Sequence, residues 1–151
     1  MQKSIRRSIV AVVLGAASCL VAFGASAQKF PLVPGDYWEV TGVEVKDGGE
    51  LKYAQFLATE WKDNAEFAKS QGWIKDYRIF ANVHARSNEP DLYLVTVTDR
   101  IVSGADSEKR QDAYLAWRKK TLEQMVTESG DRAEYRDVMS DSLLQELTVR
   151  K

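Results

Sequence analysis

Residues 78–97 read RIFANVHARSNEPDLYLVTV. Pro90 lacks an amide hydrogen and pushes Glu89 toward extended geometry, so the segment 87–91, SNEPD, belongs to a connection rather than to a ladder. Two runs rich in β-branched and aromatic residues flank it, Ile74 to Arg86 and Leu92 to Thr98, and the pair predicts a β-hairpin. In the second run Leu92 and Leu94 point one way and Tyr93, Val95 and Val97 the other. Neither face is polar, and a strand apolar on both sides is normally covered on both sides.

Working outward, the segment 29–36, KFPLVPGD, is held extended by Pro31 and Pro34, and YWEVTGVEV (37–45) reads as the first strand. Between Glu50 and Gln71, the residues Ala54, Leu57, Ala58, Trp61, Ala65 and Ala68 recur at spacings of three and four. That is one face of an amphipathic helix, with Gly72 placed for a left-handed C-terminal cap. Residues 104–130 predict a second helix with Asp106 or Ser107 as N-cap and Gly130 as its stop. The closing LLQELTVRK (143–151) predicts the last strand, while DRAEYRDVMSDS (131–142) is too polar for an assignment.

The order β-α-β-β-α-β is the split βαβ, or ferredoxin-like, arrangement of the α+β class: a four-stranded antiparallel sheet with two helices on one face. The apolar second face of strand three then asks for a cover. Burying about 600 Å² of apolar surface is worth on the order of 15 kcal/mol before entropy, and a homodimer through the sheet would supply it. From DYWEVTGVEV to LLQELTVRK the chain resembles the dimeric α+β barrel superfamily, in element order and patterning rather than in a signature motif. That superfamily includes cofactor-free monooxygenases, heme-degrading enzymes and many small domains of no assigned activity. Its heme-degrading members use an Asn on strand one, a Trp and a His; strand one here has no Asn, so none of those roles is carried over.

The first residues carry Lys3, Arg6 and Arg7, an apolar stretch from Ile9 to Gly24, and Ala25-Ser26-Ala27, the three-part pattern of a secretory signal peptide cut after Ala27. A retained membrane anchor and lipidation at Cys19 are the competing readings. The apolar stretch is short for a span, and Ala16-Ala17-Ser18 lacks the large aliphatic expected upstream of an acylated cysteine. Cleavage leaves 124 residues as one domain, residues 28–151, with no cysteine and a net charge moving from -1 to -4. Disulfides and thiolate chemistry are thereby excluded from the mature chain. A mildly acidic chain with mixed charges gives no reason to expect nucleic acid or, after cleavage, a membrane as partner. The expected location is periplasmic or secreted.

Alternation on strand two places Tyr77, Ile79, Ala81 and Val83 toward the helices and Arg78, Phe80, Asn82 and His84 on the opposite face, shared with Glu39, Thr41, Glu146 and Thr148. His84, the only histidine in the chain, is there either a general base beside a carboxylate or a wet, hydrogen-bonded lining residue. In the second helix Tyr114, Trp117, Leu122, Met125 and Val126 form an apolar band with Arg118 near its middle. Either Arg118 pairs with a structural carboxylate or it presents its guanidinium to an anionic ligand. Phe56 and Phe67 fall opposite the first helix's apolar stripe. They mark a partner contact unless residues 131–142 fold over them.

No metal-ligand spacing, glycine-rich phosphate loop or hydrolase elbow occurs, and no cofactor is expected. These readings converge on an exported small-ligand-binding or protein-interaction module, its ligand small and anionic or apolar, with Arg118, His84, Asn82, Trp117 and Tyr114 as binding residues. The alternative of another class is a cofactor-independent monooxygenase or related barrel enzyme.

Overall fold

The structure, a computed structural model, describes residues 29–151; the signal-peptide pattern, its Ala27 cut and Cys19 lie outside the described residues. Strand β1 spans Leu32–Val45, and a turn through Gly48 (φ +80°) leads into α1 (Glu50–Phe56). The helix continues through a π-helical turn (Leu57–Trp61) into α2 (Lys62–Ser70), which ends before Gly72 at φ +67°. The chain then forms β2 (Asp76–Ala81), β3 (Leu92–Thr98), α3 (Gly104–Arg118), α4 (Leu122–Asp131), a 3-10 turn (Arg132–Glu134) and β4 (Arg136–Val149). All four strands pair antiparallel in the order β2-β3-β1-β4. The molecule is thus an α+β protein with a four-stranded antiparallel sheet.

Register assigns the faces. Val43 pairs with Leu92, Thr41 with Leu94, and Ile79 with Leu94. On that side Val43, Leu94, Tyr53 and Leu57 form the core cluster, with Val45, Phe56, Trp61, Leu92 and Tyr135 packed against it. Tyr77, Ile79 and Ala81 face the helices as alternation predicts, and the Tyr77 ring meets Trp61 edge-on at 5.5 Å. Glu39 and Thr41 depart from expectation. Glu39 stands opposite Thr96, whose hydroxyl donates to its carboxylate at 3.1 Å, so both β1 residues lie on the helix side. They can be polar because Glu39 is exposed and Thr41 only half-buried, so both keep contact with solvent.

The second face does not require a twin to shield strand β3. Val95 and Val97 are 3% and 6% exposed within one chain. Trp38 stands beside Val97 on β1, Arg78 stands beside Val95 on β2, and the Arg78 guanidinium lies 5.2 Å from the Trp38 ring. These two side chains reach toward each other over β3 and roof the valines.

Several element boundaries differ from the sequence expectation, beginning with β1, which starts at Leu32 rather than Tyr37, and β2, which starts at Asp76 rather than Ile74. The single helix over 104–130 is two, broken at Lys119, whose φ of +54° is left-handed, and restarted by a reciprocal capping box between Thr121 and Gln124. The N-cap of α3 is Ser103, which accepts from the Asp106 amide. The break turns Leu122 and Val126 out of the expected band, and they are 53% and 63% exposed. Strand β2 stops at Ala81, so Val83 and His84 lie in the connection, and the unassigned segment 131–142 forms the 3-10 turn and the first half of β4.

Candidate functional site

A cavity of about 560 Å³ opens between α1 and the sheet. Its floor is Val45, Ile79 and Leu92 and its wall is Tyr53, Ala54 and Leu57; Asp47, Glu50 and Asp91 stand at its rim. Local sequence fixes this shape. Gly49 is buried, and a Cβ there would meet the Tyr135 carbonyl at 2.5 Å, so the absence of a side chain lets α1 start close against the entry to β4. Gly42 does the same on β1, where a Cβ would meet Pro90 Cγ at 2.6 Å. That close approach holds the end of the β2–β3 connection against β1. Asp91 then stitches the three strands: its carboxylate accepts from the Val45 amide at 2.8 Å, its own amide donates to the Val43 carbonyl at 2.9 Å, and its carbonyl accepts from the Asn82 amide at 2.7 Å.

Tyr53 is the cavity's most buried lining group, 2% exposed, stacked on Phe56 at 5.8 Å and tilted against Tyr135 at 6.2 Å. Burial raises its phenol pKa, opposed by the positive charges of Arg136 and Arg132. The rim is acidic and the interior apolar, a lining that favours an uncharged or positively charged guest over an anion.

The expected binding residues separate into two places. Arg118, Trp117 and Tyr114 meet at the seam between α3 and the first helix, away from the cavity lining. Arg118 Nη2 contacts Glu60 Oε2 at 3.1 Å, and Arg132 Nη1 approaches the other oxygen at 3.6 Å. Arg118 is thus paired with a carboxylate, with its side chain 15% exposed. Tyr114 sits beside this cluster, its pKa raised first by burial. His84 and Asn82 lie on the β2–β3 connection. His84 is exposed, and Asn82 donates from its side chain to the Pro90 carbonyl at 3.1 Å, which is a loop-fixing role.

Phe56 and Phe67, expected on a free surface, are half-buried by their own chain. Phe67 stacks on Trp117 at 4.3 Å with a 10° interplanar angle, and the Arg132 guanidinium lies 4.5 Å from the Phe56 ring. The segment after Gly130 does fold over Phe56, and α3 covers Phe67. Sequence reasoning missed the cavity residues Asp47, Glu50 and Asp91. The visible signal was that SNEPD ends in an aspartate placed to cap the start of a strand.

Among the described residues, no group of three or more His, Cys, Asp or Glu side chains is arranged to hold a metal ion, and no helix is long and apolar enough to cross a membrane. Comparison with known proteins finds no matching family model, curated protein or solved structure.

Proposed function

We propose that the protein is an exported, non-catalytic module that binds a small apolar molecule in the cavity between α1 and the sheet, on a ferredoxin-like scaffold. The cavity's apolar floor and size carry the reading, because pockets of roughly 300–1,000 Å³ lined mainly by hydrophobic side chains are the usual form of small-molecule sites. The chain order supports the scaffold. Read from its β4 edge the sheet runs β4-β1-β3-β2, so each βαβ half is split by a strand of the other. Export rests on the charged, apolar and small-residue succession of residues 1–27. The anionic ligand finds less support than the apolar one, since Arg118 is paired with Glu60 and the cavity rim carries three acids. A monooxygenase would use Arg118, His84 and nearby tryptophans, and none of these lines the cavity.

The neutral dye N-phenylnaphthylamine tests the reading. Wild-type protein is expected to enhance its fluorescence saturably, and Ala54→Phe, which fills the cavity mouth from an exposed position, is expected to weaken binding at least ten-fold with the melting temperature retained. Absent binding, or equal binding by the variant, overturns the proposal.

A further inference from the structure

Strand β4 occupies one edge of the sheet and runs for 14 residues, roughly 48 Å of backbone whose outer amides and carbonyls face away from β1. Such edges are ordinarily protected by proline, charged side chains and lysine above all, strong bulging or a covering element; the charges of β4 are Arg136, Asp137, Asp141 and Glu146. Between Arg136 and Val149 there is no proline and no lysine, and the one shift of register on the β4 side falls near Gly42/Val43, leaving the stretch from Ser140 onward regular. Every residue after Arg136 is exposed, including Leu143 at 52%, Leu144 at 55% and Leu147 at 54%. Leu143 pairs with Glu39 and Leu147 lies two alternations further along. Both therefore stand on the helix side of the sheet, as an apolar row that α3 and α4 leave open.

We infer that β4 is the contact through which two copies of this chain associate, strand against strand and antiparallel, into one continuous eight-stranded sheet. A second copy fits because the strand is self-complementary. A two-fold axis through Leu144 sets Leu143 opposite Gln145, Ser142 opposite Glu146, Asp141 opposite Leu147 and Ser140 opposite Thr148, with no like charges facing. Farther out, acidic Asp137 approaches the basic Arg150 and Lys151 end of the second copy. The apolar rows of the two copies become neighbours at the centre of the joined sheet. This association stands independently of the ligand reading.

Sedimentation velocity of the chain cut after Ala27, from about 1 to 100 µM, tests it, with Leu143→Lys/Leu147→Lys as the variant. Both side chains are half-exposed in one chain, so the fold does not depend on them, and lysine is the ordinary means of blocking an edge. Wild type is expected to sediment as two chains, and the variant to dimerise at least 100-fold more weakly with unchanged circular dichroism. A wild type that stays single at 100 µM overturns the inference, as does a variant that dimerises as tightly. If the variant unfolds, hydrogen exchange of wild type decides: β4 amides protected only at the higher concentration support the contact, and protection independent of concentration overturns it.

Discussion

The Arg78 guanidinium lies 5.2 Å from the Trp38 ring, although the two residues belong to β2 and β1 with β3 between them. The pair closes over Val95 and Val97, which are 3% and 6% exposed, on the face opposite the Val43–Tyr53 core cluster. Arg78→Ala is expected to lower stability by about 1–2 kcal/mol, combining a cation–π contact with newly wetted valine surface. Arg78→Met, which keeps the apolar stem, should lose less than half of that. Urea denaturation of both variants measures the difference; equal losses would mean that charge, not cover, matters.

Glu60 holds two arginines whose side chains are 15% and 16% exposed. Glu60→Gln leaves those two positive charges facing each other with no carboxylate between them, and a loss of about 2–4 kcal/mol is expected from breaking so sheltered a cluster. Adding Arg118→Met to Glu60→Gln should restore part of it. A double-mutant cycle by thermal denaturation gives the coupling, and strictly additive losses would refute the cluster's cooperativity.

Burial places the Tyr53 pKa above the 10.0 of an ordinary tyrosine, and Tyr114 shifts the same way. The unfolded chain therefore ionises first as pH rises. The stability tied to the neutral phenols is whole below pH 10.0 and fades as pH climbs through that value toward the folded-state pKa. Denaturation midpoints followed from neutral to strongly alkaline pH should fall on that limb, and Tyr53→Phe should flatten the fall.

Thr121 supplies one half of the capping box that starts α4. Thr121→Ala is expected to cost about 1 kcal/mol and to speed amide exchange in residues 122–125 selectively. Uniform acceleration across the chain would indicate that α4 has no separate opening.

Gly42→Ala should cost about 1–3 kcal/mol by overpacking, because the added methyl meets Pro90 Cγ at 2.6 Å as well as the Ser140 hydroxyl. Pro90→Ala in the same chain is expected to recover part of the loss, as a melting temperature would show.

The periodicity of the first helix and the Gly72 stop were legible because a local rule, spacing plus a left-handed cap, decides them alone. Its buried face was read less well: Tyr53 is 2% exposed while Ala54 is exposed, since the π turn rotates the stripe and no residue type announces it. The hairpin was legible around Pro90, yet β2 ended at Ala81 because the Asn82 and Asp91 hydrogen bonds, which depend on the fold, close it early. The α3–α4 break was written in Thr121-x-x-Gln124, but the apolar spacing ran through it and masked the restart. The first half of β4 was opaque: as an edge strand with Asp137, Ser140, Asp141 and Ser142 it carries no apolar alternation. Arg118 was visible as an anomaly. Its partner, Glu60, lies 58 positions away on another helix, and only the fold could choose between carboxylate and ligand.

The π turn at Leu57–Trp61 lets one helix serve two contacts. Upstream, Tyr53 and Leu57 press on the sheet; downstream, Glu60 and Phe67 engage α3 and Arg132. Deleting a single residue there would leave an ordinary, better hydrogen-bonded helix. Because a π turn spends about one residue more than the α turn it replaces, the rest of the helix would keep its facing, and Phe67 would stay against Trp117. Chain length at this one spot therefore has a residue of slack, and sequences able to build this molecule should absorb a one-residue deletion here more readily than anywhere else along the helix.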